Sequence, residues 1–103
     1  MSTFKNVEIT KEANIYFDGK VTSRKVIFSD GIVKTLGIMM PGSFEFATEQ
    51  HELMEITAGE MDVLLPRKTE WQKIKTGQSF EVEANSSFKL QVKSLVDYCC
   101  SYK

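Results

Sequence analysis

The stretches Phe44-Glu45-Phe46-Ala47-Thr48, Glu52-Leu53-Met54-Glu55-Ile56-Thr57 and Met61-Asp62-Val63-Leu64-Leu65 set an apolar residue at every second position. Successive side chains on an extended chain point to opposite faces, so a period of two marks strands with one buried face. The same period continues outward in Phe80/Val82, Phe88/Leu90/Val92 and Val96/Tyr98/Cys100/Tyr102. Between these runs stand Asp30-Gly31, Pro41-Gly42, Ala58-Gly59, Thr76-Gly77 and Ala84-Asn85-Ser86. Each supplies the positive φ or the side-chain hydrogen bond that a tight turn needs. We assign strands to 26–29, 32–39, 44–48, 52–57, 61–65, 71–74, 79–82, 88–92 and 95–101, and no helix.

Many short strands with frequent turns describe an all-β domain, a sandwich or a small closed barrel, because closing or pairing the strands removes exposed edges. A chain of 103 residues with 42% hydrophobic content has room for one modest core and one domain, assigned to 14–103. Residues 1–13, with Phe4, Val7 and Ile9, form either an edge strand or an arm across a partner subunit. Thirteen Lys and Arg against fourteen Asp and Glu leave a net charge of −1, without the basic footprint of a binder of nucleic acid or of anionic membranes. A small molecule or another protein is the better partner. No apolar run reaches the roughly 18 to 20 residues that span a bilayer, and the N-terminus opens no signal-peptide pattern, so the expected location is the cytoplasm. Cys99 and Cys100 are neighbours on a strand and face opposite ways, which opposes a disulfide between them; they read as small hydrophobes of a core strand.

The same parity sorts the polar residues. With Phe44 and Phe46 inward, Thr48 shares their face; with Met54 and Ile56 inward, Glu52 shares theirs. A carboxylate is thereby aimed at the interior, where burial raises its pKa unless a donor or cation compensates. Gly19-Lys20 is no triphosphate loop, because Asn14 and Val21 stand where that motif needs glycine and a hydroxyl. His51 is the one histidine, which excludes a histidine metal cage and leaves it a solvated loop residue. Trp71 reads as a core or interface aromatic.

Pro41 to Thr48 followed by Glu52 to Pro66 resembles the first motif of the cupins, with Glu52 and the closing Gly59 in place. Phe46 and Thr48 occupy the region of its metal-binding histidines. Gly77 to Val92 resembles the second motif, with Phe88 about where its histidine stands. More closely, Tyr16-Phe17-Asp18-Gly19-Lys20-Val21, Phe44/Phe46/Thr48, Val63-Leu64-Leu65-Pro66, Glu70-Trp71-Gln72 and Phe80-x-Val82-x-Ala84-Asn85-Ser86 are together similar to the pyrimidine/purine nucleoside phosphorylase family. The similarity runs over about Asn14 to Tyr102. Two positions depart from it, Glu83 in place of a usual proline and Ser101 where some members carry arginine.

The resemblance implies a single-domain cupin, a small β-barrel or jelly roll, that acts as a homodimer. It implies phosphorolysis of purine and pyrimidine nucleosides to free base and ribose 1-phosphate, with broad base tolerance, no metal, and inorganic phosphate as co-substrate. On that reading Glu52 is the catalytic candidate, accepting from ribose hydroxyls or donating to the base. Phe46, Met54 and Phe88 cover the flat base, Thr48 donates to sugar or phosphate, and Lys20 is the first candidate for phosphate. A non-catalytic small-molecule-binding cupin is the alternative from another class, whereas a metal-dependent cupin oxygenase or isomerase lacks its ligands here.

Overall fold

The computed structural model describes residues 2–103; Met1, the first residue of the expected 1–13 segment, lies outside the described residues. The alternating runs become strands numbered in chain order: β1 (Glu8–Ile9), β2 (Asn14–Tyr16), β3 (Val21–Ile27), β4 (Val33–Met39), β5 (Gly42–Ala47), β6 (Glu52–Ala58), β7 (Glu60–Leu64), β8 (Gln72–Lys75), β9 (Ser79–Val82), β10 (Ser87–Val92) and β11 (Val96–Tyr102). The one helical element among the described residues is a 3₁₀ turn, Phe17–Gly19. An all-β fold is therefore observed, as expected.

The strands form two sheets. One has seven strands in the order β1-β3-β4-β11-β6-β9, with β2 also pairing to β3; the other has four in the order β5-β10-β7-β8. Every pairing is antiparallel. The inward residues of both sheets make one core, with Met61, Val63, Leu90 and Val92 from the smaller sheet and Val21, Met39, Ile56, Val82 and Val96 from the larger. Burying a side chain of this size contributes about 1.5–3 kcal/mol, so this shared core is the main force holding the two sheets together.

Two departures from the sequence reading have a common cause. The third strand begins at Val21 and not at residue 26, and β2 was not expected as a strand at all. Thr22-Ser23-Arg24-Lys25 is polar on both faces, so the period that betrays a half-buried strand is missing. Its ladder to β4 is nonetheless continuous from Val21↔Met39 to Ile27↔Val33. At the other end of the expected 1–13 segment, Glu8 and Ile9 pair with Ile27 and Val26, and the Phe4 ring packs edge-on against Phe28 at 5.0 Å.

Close packing of backbone and side chain fixes the middle of the larger sheet. The Tyr98 phenol lies over Gly37 and donates to the Thr22 carbonyl oxygen at 3.2 Å. A Cβ at Gly37 would stand 2.0 Å from that oxygen and 2.6 Å from the phenol oxygen. The absence of a side chain at this position is what lets tyrosine span the sheet.

Candidate active site

The register of β11 between β4 and β6 lays out a site level by level. Tyr98 lies between Gly37 and Ile56, Cys100 between Thr35 and Met54, and Tyr102 beside Glu52. Facing them across the interior are Phe46 of β5 and Phe88 of β10, which are direct cross-strand partners. Their rings stack at 5.7 Å with planes 26° apart, and Phe80 meets Phe88 edge-on at 6.2 Å. Tyr16 closes against Phe46 from the side at 6.5 Å. The space enclosed is an open-mouthed cavity of about 180 Å³, aromatic on one side and polar on the other.

Of the six residues singled out from sequence, Glu52, Phe46, Met54 and Phe88 line this cavity. Thr48 and Lys20 do not. Thr48 has the inward parity expected of it and is 5% exposed, but its hydroxyl is consumed by backbone: it donates to the Glu83 carbonyl oxygen at 2.7 Å and accepts from the Ser86 amide at 3.0 Å. It pins the β9–β10 turn and has no proton to offer a ligand. Lys20 is exposed just after the 3₁₀ turn, where its amide donates to Phe17 and its carbonyl accepts from Met40. That is the level of Val21 and Met39, the opposite end of β3 from the Glu52–Tyr102 pair.

Sequence reasoning passed over Thr35, Met39, Tyr98, Cys100 and Tyr102, all of which line the cavity, and Ser23, which stands in the same block as Lys20, lines it where Lys20 does not. The parity of β11 marks its three as inward, but nothing in the pattern separates a cavity-lining tyrosine from a core one. The Thr35 and Tyr102 hydroxyls pair at 3.2 Å. Trp71 is 40% exposed and has no part in the cavity, and His51 is tied at the rim to Glu81 at 2.8 Å, with Lys103 on the same carboxylate oxygen at 3.0 Å. Ser101 points to the opposite side of β11 from the cavity, with its hydroxyl buried and without a partner. Among the described residues no three His, Cys, Asp or Glu side chains come together as a metal centre would require.

Glu52 is the one charged residue on the cavity wall. Burial pushes its carboxyl above the ordinary glutamate value, and a contact with the Cys100 thiol offsets this only in part. The same burial, with the Glu52 charge beside it, pushes the Cys100 thiol up to about 12, and Tyr98 and Tyr102 also rise. At neutral pH the wall therefore presents neutral thiol and phenol groups around a carboxyl that holds its proton to higher pH than usual.

The sign of the resulting pH dependence is fixed. Above its raised pKa, folded Glu52 carries a desolvated charge that the unfolded chain keeps in water; below the ordinary value the group is neutral in both states. Its burial therefore costs stability progressively as pH rises from the ordinary carboxylate value through the raised one. Glu52→Gln should melt higher than the wild type at about pH 7, with the difference shrinking toward zero near pH 3. Thermal unfolding across that range checks this, and a variant less stable than the wild type at neutral pH would contradict it.

Residues 11–102 match the family model for pyrimidine/purine nucleoside phosphorylases. A protein of that name from Colwellia psychrerythraea is 65% identical over 102 residues, covering 99% of this chain and 98% of its own length. One from Geotalea uraniireducens is 63% identical with the same coverage. Among solved structures, a protein of unknown function from Acinetobacter sp. ADP1 superposes with a TM-score of 0.95 at 39% identity, covering 98% of both chains. The EutQ protein of Clostridium difficile, 12% identical with a TM-score of 0.67 over 80% of this chain and 67% of its own, shares the fold alone. With the match running from the N-terminal edge to the last strand, the chain belongs to the pyrimidine/purine nucleoside phosphorylase family.

Proposed function

We propose that this protein cleaves the N-glycosidic bond of nucleosides with inorganic phosphate, in the cavity between Glu52 and the Phe46/Phe88 pair. The observation that carries the reading is that stack of rings facing one carboxyl whose pKa burial raises, in a member of this family. Breaking the bond places positive charge on C1′ of the sugar and sends the bonding pair to the base nitrogen. A phosphate oxygen forms the new bond to C1′, and the departing base gains a proton.

Each wall of the cavity answers one of those needs. The stacked rings, with Met54 and Met39, take up the flat face of a base without reading its edge, which suits purines and pyrimidines alike. Glu52, its pKa raised by burial, is placed to give a proton to the leaving base, and the rise increases the share of the protonated acid at any given pH. The Thr35–Tyr102 hydroxyl pair and Ser23 supply hydrogen bonds to the sugar. Phe46 and Phe88 sit where the cupin resemblance places metal-binding residues, which favours chemistry without a metal, and phosphate is the only other reactant required.

Chromatography of uridine and inosine incubated with the protein, with and without phosphate, tests this. Free base should appear only with phosphate, chelator should leave the rate unchanged, and Glu52→Gln should lower turnover roughly a hundredfold or more while leaving the chain folded. Binding without turnover would make the protein a nucleoside-binding cupin, and base release independent of phosphate would make it a hydrolase.

The same proposal takes the chain as a cytoplasmic homodimer. Among the described residues no helix is long and apolar enough to cross a membrane. The outward face of the larger sheet carries Leu36, Ile38, Leu53 and Cys99, with Leu36 39% exposed, interleaved with Arg24, Lys34, Glu55 and Asp97 of both signs. A face of apolar residues set among charges of both signs can meet its own copy about a twofold axis, apolar on apolar and acid on base. Light scattering at micromolar concentration should return twice the chain mass, and a monomer would contradict the assignment.

A further inference from the structure

We infer that Lys25, with Asn14 and Gln50, forms the site that holds inorganic phosphate beside the cavity, next to the Thr35–Tyr102 hydroxyl pair. This rests on the proposed phosphorolysis for its role in the reaction, though not for the binding itself. A phosphate ion needs cationic and neutral hydrogen-bond donors, and no Lys, Arg or His side chain lines the cavity wall. The cation must come from its margin.

Following the register around both sheets at the inward positions, one meets a single basic residue, Lys25 of β3. It shares the parity of Val21 and Ser23, and its cross-strand partner is Thr35, which in turn pairs with Cys100. It is exposed because it lies toward the open end of the strand, and among the described residues it enters no ion pair. A groove of about 480 Å³ opens there, lined by Asn14, Lys25, Thr35, Gln50 and Tyr102 together with Gly31, Ile32 and Val33. Thr35 and Tyr102 line the cavity as well, so groove and cavity meet at that hydroxyl pair.

The donors are arranged for an anion. The Asn14 amide gives one N–H to the Ser23 hydroxyl at 3.2 Å and keeps the other. Gln50 brings a second amide, and no Asp or Glu side chain lines the groove. A nucleoside with its base on the Phe46/Phe88 stack has its sugar near the hydroxyl pair, and an anion on Lys25 then stands at the sugar from the groove side. Attack by a phosphate oxygen on C1′ expels the base from the opposite face, which calls for an anion site beside the base site and separate from it, as the groove is beside the cavity. The other basic groove, with Arg67, Lys68 and Lys89, serves less well. Lys89 points away from the interior on β10, and Arg67 is paired with Glu83.

Titration of the wild type, Lys25→Met and Lys25→Arg with inorganic phosphate alone, followed by calorimetry, reads the site without requiring turnover. Lys25→Met should weaken phosphate binding about tenfold or more, and Lys25→Arg should recover most of it. In steady-state assays the KM for phosphate should rise in Lys25→Met by a similar factor while the KM for uridine stays within about threefold. Undiminished phosphate binding by Lys25→Met, or no phosphate binding by the wild type, would overturn the inference. Phosphate bound through Lys25 by a protein that releases no base would uphold the site and refute phosphorolysis.

Discussion

The position of β11 between β4 and β6 is the constraint on which the rest of the structure depends. Its register puts Tyr98, Cys100 and Tyr102 on the inner face at three successive levels, each with a defined partner on either side. Because side chains alternate strictly, a slip of one residue would turn all three outward and bring Asp97, Cys99 and Ser101 into the interior. Gly37 enforces the register from one side, since only a residue without a Cβ leaves room for the Tyr98 ring. The bulge between Asp97 and Tyr98 on the β6 side absorbs the mismatch before the functional stretch begins.

That arrangement gives the two sheets different inner surfaces. The four-stranded sheet presents phenylalanine, leucine, valine and methionine, so it can stack with a ligand but not hydrogen-bond to it. Beyond its own apolar core, the seven-stranded sheet presents Ser23, Thr35, Glu52 and the tyrosines. A molecule with a flat apolar part and a hydroxyl-rich part fits between them in one orientation. The Glu52 carboxyl, part-buried with the Cys100 thiol against it and no cation beside it on the cavity wall, is a cost to folding, and such perturbed groups cluster at functional sites.

The strands with one buried face were legible because their outer face meets water and their inner face meets the other sheet. Glu52 was legible for the same reason, through its parity with Met54 and Ile56. That part of β3 was not, because Ser23 lines the cavity and Lys25 the groove beside it while Thr22 and Arg24 face outward, leaving no hydrophobic period to read. Lys20 stood out in the sequence only because its neighbours resemble a family block, and the level of the strand at which it lies is a property of the register. Thr48 shows a different limit: parity gives the direction of a side chain, but whether backbone groups consume its hydroxyl depends on the turn from Glu83 to Ser86 that folds onto it.

The chain's five methionines provide the most direct test of the central claim that the ligand lies between the two unlike sheets. Met39 and Met54 line the cavity, Met61 is buried in the core apart from it, and Met40 is exposed outside. In a protein labelled with ¹³C at the methionine methyl groups, titration with uridine should shift the Met39 and Met54 signals, carried by the ring currents of Phe46 and Phe88 and of the base. Met61 and Met40 should stay in place. Saturable binding that leaves Met39 and Met54 unmoved would contradict the account and put the ligand elsewhere on the molecule.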